Sequence, residues 1–74
     1  MKNNLTELLT VQSSAIKTVW YQFSSETFVV DFQNGSSYKY QHVPYFIFEG
    51  FKMAESKGRF INDHVKPRFN FTKW

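Results

Sequence analysis

The chain has 74 residues, which is enough for one domain near the lower size limit for a core without covalent staples. It has no cysteine and only two histidines, which excludes a disulfide framework and argues against a structural zinc site. Aromatic residues make up 20% of the chain, so side-chain packing must stabilise it. No apolar run approaches the roughly 18 residues that cross a bilayer, and we predict a cytoplasmic protein without a membrane partner.

The formal net charge of +3 is unevenly distributed along the chain. Residues 1–49 carry three lysines against four carboxylates, whereas residues 50–74 carry six cations against two carboxylates. The excess of cations near the C-terminus favours a polyanion or an acidic protein surface as partner. A solvated basic surface gives the same pattern.

The N-terminal half predicts a short helix followed by two strands. Residues 1–12 have leucines at helical spacing and predict a short amphipathic helix that docks on the domain or frays. Residues 15–23 predict a strand in which Ile16 is out of phase with the apolar alternation. A bulge near Lys17 and Thr18, or burial of the strand on both faces, would account for it. Residues 27–32 alternate with a period of two and predict the next strand.

A hairpin is expected next, because residues 34–35 are Asn-Gly, the strongest short signal for a type I′ turn. The turn leads into a third strand over residues 37–43. On that strand Tyr38 and Tyr40 share one face, while Lys39 points to the other.

The C-terminal half predicts two helices. Pro44 begins the first, and Gly50 within it indicates close packing against the sheet. Gly58 is predicted as its left-handed cap. Its core-facing stripe consists of Ile47, Phe48, Phe51 and Ala54.

Residues 59–65 predict a second short helix, and residues 68–74 are a candidate for an extra edge strand. The expected fold is therefore α+β, with an antiparallel three-stranded β-meander packed against one or two C-terminal helices.

From Ser13 onward the order of these signals resembles the KTSC family, named for a domain at the C-terminus of some lysyl-tRNA synthetases. The stretches that carry the resemblance are SSAI at 13–16, FVVDFQNGSSYKYQHVP at 28–44 with its central Tyr-x-Tyr, and AESKGRFINDHV at 54–65. The resemblance implies a small domain over residues 13–74, preceded by a separate segment of residues 1–12. It also implies an RNA-binding role.

Tyr38 and Tyr40 allow two interpretations. They could stack on bases while Lys39 or a nearby cation holds phosphate. Alternatively they cover the sheet beneath the first helix, which is the interpretation we favour. The opposite direction of Lys39 weakens a joint site of all three side chains.

The junction between the two predicted helices contains Ser56, Lys57, Gly58 and Arg59. Exposed amides and the two cations could bind a phosphate there, especially if Arg59 begins the second helix. A plain helix joint with solvated charges explains the same residues. The spacing lacks a full phosphate loop, so a nucleoside triphosphatase is not predicted.

Lys66, Arg68 and Lys73 interleave with Phe69, Phe71 and Trp74, as cations and rings do in single-strand binders. An edge strand with buried rings would have the same sequence.

We predict no enzymatic activity, no metal and no cofactor. His42 and His64 have no serine or carboxylate partner at a spacing that completes a catalytic triad. The six carboxylates are scattered, without a pair that indicates acid–base catalysis.

The leading hypothesis is a small non-catalytic module that binds nucleic acid, RNA in particular. Its predicted binding residues are Tyr38, Lys39, Tyr40, Ser56, Lys57, Gly58, Arg59, Lys66 and Arg68. One alternative is a phage-type inhibitor or adaptor that docks Tyr45, Phe46 and Trp74 on a host enzyme or defence protein. Another is a protein that sequesters a small nucleotide in a pocket, either within one chain or between protomers.

Overall fold

The computed structural model describes residues 6–73, which form an antiparallel sheet with helices on one face. The five strands pair in chain order, and they are β1 (Thr6–Thr10), β2 (Ile16–Gln22), β3 (Thr27–Phe32), β4 (Ser37–Tyr40) and β5 (Phe71–Lys73). The helices are α1 (Tyr45–Met53) and α2 (Lys57–Phe60), and α2 continues into a π-helical segment, Ile61–Val65. The α+β meander with C-terminal helices is confirmed, and the predicted extra edge strand is β5. The sheet has five strands instead of the three predicted, because β1 and β5 extend it at its two edges.

Strand β1 lies where the sequence predicts a short helix, and this prediction is wrong for residues 6–10. The strand pairs antiparallel with β2 along its whole length. Its burial alternates, with Glu7 and Leu9 half-buried and Leu8 68% exposed. A helix this short is marginal in water, whereas β2 offers a complete row of backbone partners. Residues 1–5 of the predicted N-terminal segment lie outside the described residues.

Of the two alternatives for β2, the structure shows the bulge, because the pairing with β3 shifts register between Ile16 and Thr18. The hairpin between β3 and β4 is confirmed as well, but its turn is not type I′. Gly35 has a φ of +93°, whereas Asn34 does not have a positive φ. The Phe32 amide donates to the Ser36 carbonyl at 2.8 Å, which closes a three-residue loop with a left-handed glycine at its end.

The core lies between the sheet and the helices and is rich in rings. The Tyr21 and Phe48 rings stack with centroids 5.0 Å apart, and Phe28 meets Phe48 edge to face at 5.3 Å. Full burial of such side chains stabilises the fold by about 1.5–3 kcal/mol each. The predicted stripe on α1 is confirmed at Ile47, Phe48 and Phe51. The buried residues that pack together in this core are Ile16, Val19, Tyr21, Phe28, Val30, Tyr40, Val43, Ile47, Phe48, Phe51, Ile61 and Val65.

Two glycines mark close approaches that differ from those predicted. A Cβ at Gly50 would lie 3.2 Å from the Phe60 ring, so α1 packs closely against α2 there rather than against the sheet. Gly58 lies inside α2 without a left-handed φ, so it is not the cap of α1. A Cβ at Gly58 would lie 3.3 Å from the Ala15 Cβ. Helix α1 ends instead at Met53, and its cap residue Ala54 has an extended backbone.

Candidate nucleic-acid interface

A groove of about 600 Å³ separates the β1–β2 loop from α2 and the π-helical segment. One wall is the loop, residues 13–15. The other wall contains Ser56, Gly58 and Arg59, followed by residues 62–63 of the π-helical segment. Phe32 and Lys66 complete the lining.

The loop wall is held in place by the β3–β4 hairpin and by its own turn. The Ser13 hydroxyl accepts hydrogen bonds from the amides of Ala15 and Ile16, both at 3.1 Å. The Gln33 amide donates to the Ala15 carbonyl at 2.8 Å. Because Gly58 has no Cβ, α2 can approach this fixed loop closely enough to make a narrow groove.

The predicted phosphate site at the start of the second helix is not built as expected. Ser56, not Arg59, caps α2, and its hydroxyl accepts from the Arg59 amide at 3.3 Å. Arg59 lies inside the helix, so it does not begin it. The helix therefore leaves fewer exposed amides for an anion than the sequence indicates.

Lys57 makes its contacts within the fold. Its ammonium donates to the carbonyls of Lys52 at 2.8 Å and Ala54 at 2.6 Å, at the C-terminal end of α1. The same ammonium lies 5.8 Å from the centre of the Phe51 ring. A cation is favourable at this end of a helix because the last carbonyls there lack helical partners. The predicted binding role of Lys57 is therefore not supported by its contacts.

Arg59 and Lys66 are the cations that line the groove. The Arg59 side chain is 81% exposed and forms a loose pair with Asp63, with its Nε 3.6 Å from the carboxylate. The Lys66 ammonium lies 5.7 Å from the centre of the Phe32 ring. The charges of Arg59 and Lys66 both remain available to a ligand, because an exposed ion pair and an exposed cation–π contact are both weak.

The predicted tyrosine row faces the helices, and Tyr40 is completely buried. Tyr38 is half-buried and packs against Phe32 at 5.5 Å and against Phe71 at 4.9 Å. Tyr40 is therefore unable to stack on a base, and the core interpretation holds for it. Lys39 lies on the opposite face of the sheet, as its place in the strand predicts.

Arg68 does not line the groove. It is exposed and follows the π-helical segment, with its amide donating to the Val65 carbonyl at 3.2 Å. Of the rings near it, Phe69 packs against the core and Phe71 is 55% exposed on β5. Trp74 lies outside the described residues. The groove lining thus includes Arg59 and Lys66 but not Arg68, with which the sequence groups them.

Burial changes the ionisation of two tyrosines in the core. It raises the pKa of Tyr21 to about 12, with a smaller contribution from the negative charge of Glu26. It also raises the pKa of Tyr40 to about 12. The two phenols differ in their partners, since the Tyr21 hydroxyl donates to the Val43 carbonyl at 2.6 Å, whereas the buried Tyr40 hydroxyl has no hydrogen-bond partner within residues 6–73.

A second cluster of polar groups joins β1 to α1. The Lys52 ammonium donates to Glu7 at 3.0 Å and to the Tyr45 hydroxyl at 3.1 Å. Hydrogen bonds to Tyr45 and Glu7 raise the pKa of Lys52. The predicted protein anchor Tyr45 is therefore engaged inside the domain, where its ring also meets Phe23 at 4.9 Å. In contrast, Phe46 is 68% exposed.

Several groove residues were not identified from the sequence as binding candidates. They are Ser13, Ser14, Ala15, Phe32, Asn62 and Asp63. The SSAI stretch that carries part of the family resemblance supplies the loop wall. Its position opposite α2 depends on contacts between distant parts of the chain, which local patterns do not predict.

Within residues 6–73, His, Cys, Asp and Glu side chains form no group of three that could hold a metal ion. His64 packs against the Phe60 ring at 4.8 Å, and Asp63 pairs with Arg59. None of the described helices is long and apolar enough to span a bilayer.

Comparisons with known proteins identify relatives of two sizes. A protein of Tsukamurella paurometabola is 42% identical over 59 residues, which cover 80% of this chain and 88% of that protein. A lysine–tRNA ligase of Nostoc punctiforme is 36% identical over 64 residues, which cover 86% of this chain and 11% of the ligase. The same kind of segment thus occurs in a small protein and within a much larger enzyme.

A solved structure and a family model agree with these relatives. The crystal structure of a KTSC domain protein from Yersinia pestis has a TM-score of 0.86 to this chain at 30% sequence identity, covering 95% of this chain and 99% of that chain. The family model for the KTSC domain matches residues 12–69. The chain therefore belongs to the KTSC domain family.

Proposed function

We propose that this chain is a non-catalytic module that binds single-stranded RNA in the groove between the β1–β2 loop and α2. The observation that carries the proposal is the presence of Arg59 and Lys66 on the same groove, with their charges open to solvent. Phosphate contacts from such cations supply most of the sequence-independent affinity for nucleic acids.

The size of the groove favours an unpaired strand over a duplex. Its volume of about 600 Å³ falls within the range of sites for small ligands, about 300–1,000 Å³. Proteins recognise double-stranded RNA over a much longer surface, about 16 base pairs in a typical module. One or a few splayed nucleotides match the dimensions of this groove better.

The names of some relatives agree with an RNA ligand. Lysine–tRNA ligases carry a segment similar to this chain, and their name specifies tRNA as their substrate. That association supports RNA over DNA as the nucleic acid to test first.

The first test is the salt dependence of RNA binding. A labelled single-stranded RNA of about ten nucleotides is titrated with the protein, and fluorescence anisotropy is measured over a range of salt concentrations. Each phosphate neutralised on a single strand contributes a slope of about −0.7 in a plot of log affinity against log salt. Two cations predict a slope of about −1.4 or steeper, and no binding at low salt would contradict the proposal.

Arg59 and Arg68 provide a matched pair of variants. Arg59→Gln and Arg68→Gln remove the same charge from exposed arginines, but only Arg59 lines the groove. We expect Arg59→Gln to weaken RNA binding by several-fold more than Arg68→Gln and to reduce the salt slope. Equal losses in the two variants would indicate general attraction to a basic surface instead of a groove site.

Asp63 offers a test with the opposite sign. Its carboxylate lies 3.6 Å from Arg59 and repels a phosphate at the same place. Asp63→Asn should therefore strengthen RNA binding by about two- to five-fold at low salt, as expected for removal of an exposed charge. Unchanged or weaker binding would argue against phosphate contact at Arg59.

A protein-binding inhibitor or adaptor is the second candidate, and the outer side of α1 favours it. Phe46 is 68% exposed and Met53 is 85% exposed, and their spacing of seven residues puts them on the same side of the helix. Exposed aromatic and Met side chains are enriched where proteins dock. This function requires no nucleic acid.

The two functions can be separated in one pull-down from nuclease-treated lysate. A protein partner that is retained after digestion, lost with Phe46→Gln and Met53→Gln, and kept with Arg59→Gln would support the second candidate. Loss of all captured material after digestion would support RNA binding.

The nucleotide-sequestering alternative has its own test, which is competition with labelled RNA. A free mononucleotide that displaces the labelled RNA at equal concentration of phosphate would favour that alternative.

A further inference from the structure

Phe32 is a groove residue whose ring is held in a fixed position. It ends β3, and its carbonyl accepts from the Gly35 amide at 3.0 Å in the hairpin loop. Its ring contacts Tyr38 edge to face, with centroids 5.5 Å apart and an interplanar angle of 65°. The side chain is half-buried and lines the groove, so the ring is both oriented and accessible in part.

Lys66 covers this ring in the structure. Its ammonium lies 5.7 Å from the centre of the Phe32 ring, and the residue is otherwise exposed. A cation–π contact at an exposed site is weak, whereas an ammonium forms stronger charge-assisted contacts with phosphate. A phosphate in the groove can therefore draw Lys66 away from the ring and leave a π face open.

We infer that Phe32 is the base-stacking residue of the groove and that Lys66 is a removable cover of its ring. The ligand is an unpaired nucleotide within an RNA strand, with phosphate between Arg59 and Lys66 and the base against Phe32. This inference rests on the proposed RNA binding and adds to it the residue that contacts the base. Stacking on a ring requires a base that is free of its neighbours, which agrees with an unpaired strand.

The experiment compares two labelled strands of equal length and charge, a single-stranded RNA and the same strand without bases. The wild-type protein should bind the strand with bases about 5- to 100-fold more tightly, as expected for one stacked base. Phe32→Leu keeps an apolar side chain but removes the π face. It should lose this preference while keeping the salt slope of the wild type.

Lys66→Gln should show the reverse pattern. It removes a phosphate contact, so its salt slope should be shallower by about 0.7. It leaves the Phe32 ring in place, so the preference for the strand with bases should remain. If Phe32→Leu changes only the preference for bases and Lys66→Gln changes only the salt slope, the base contact is separated from the phosphate contact.

Phe71→Leu is the matched control, because Phe71 is an aromatic residue with 55% exposure that also contacts Tyr38 but does not line the groove. It should retain both the preference for the strand with bases and the salt slope.

Phe32→Trp replaces Phe32→Leu in this test if Phe32→Leu fails to fold, as judged by thermal unfolding. Its added fluorescence, measured as the difference from wild type, should be quenched by the strand with bases and not by the strand without them.

The outcomes distinguish this inference from the proposed function. Binding of RNA with an unchanged preference for bases in Phe32→Leu, or with no quenching in Phe32→Trp, would overturn the stacking role alone. Absence of RNA binding by the wild-type protein would overturn both. Loss of preference in Phe32→Leu but not in Phe71→Leu supports the inference.

Discussion

The side chains around α1 and those around the groove use the same chemical groups differently. Near α1 the ammonium of Lys57 donates to two carbonyls and that of Lys52 to Glu7 and Tyr45. At the groove Arg59 has one loose ion pair and Lys66 one cation–π contact. The basic C-terminal part of the chain is therefore divided between cations that stabilise the fold and cations that remain available to a ligand.

The largest effect on stability is expected from Lys57→Met. The variant keeps an apolar stem but removes the donor to the carbonyls of Lys52 and Ala54. Hydrogen bonds from charged groups stabilise by about 1.5–3 kcal/mol, so the free energy of unfolding should fall by roughly 2 kcal/mol in urea denaturation. Its affinity for RNA, measured under folded conditions, should stay within about two-fold of wild type. A stable variant that fails to bind RNA would show that Lys57 also contacts the ligand.

A smaller effect should separate the two buried tyrosines. Tyr21→Phe removes the donor to the Val43 carbonyl and should cost about 1–1.5 kcal/mol. Tyr40→Phe removes a buried hydroxyl that has no partner within the described residues, so its stability should be equal to or above that of wild type. Urea denaturation of both variants measures the difference. Equal losses would mean that the Tyr40 hydroxyl is also bonded.

The same tyrosines predict a loss of stability in alkali. Both have a pKa of about 12 in the folded protein against about 10 in the unfolded chain, so between these values the unfolded chain binds fewer protons. Stability should therefore be independent of these groups below pH 10 and fall above it, by roughly 1 kcal/mol per pH unit for each tyrosine. Tyr40→Phe should remove about half of this slope, as measured by denaturation at several pH values. A Tyr40→Phe variant that keeps the wild-type dependence of stability on pH would contradict a raised pKa of Tyr40.

The smallest effect on stability is expected at the groove. Arg59→Gln combined with Lys66→Gln removes only exposed contacts, so the free energy of unfolding should change by less than about 0.5 kcal/mol. The same double variant should reduce the salt slope of RNA binding by about 1.4. A stability loss as large as that of Lys57→Met would show that these cations also serve the fold.

The sequence predicts the parts of this structure that depend on neighbouring residues. The bulge near Lys17, the hairpin at residues 34–35 and the buried stripe of α1 all follow from alternation, turn residues or helical spacing. The opposite directions of Tyr40 and Lys39 follow from the period of a strand.

The remaining features depend on contacts between distant residues. Strand β1 forms because β2 is beside it, although its leucine spacing fits a short helix. Lys57 is used by the end of α1, which its sequence neighbours do not reveal. The groove exists because Gly58 in α2 meets Ala15 in the β1–β2 loop, far away in the chain. Local patterns therefore identified the cations but did not show which of them are bonded within the fold and which remain available to a ligand.

The most direct test of this division is a titration of the isotopically labelled protein with single-stranded RNA, followed by the chemical shifts of its backbone amides. We expect the shifted amides to cluster at the loop of residues 13–15, at Arg59 and along residues 62–66. Amides of α1 and of Arg68 should change little. Shifts centred on the exposed side of α1, or spread evenly over the basic surface, would contradict it.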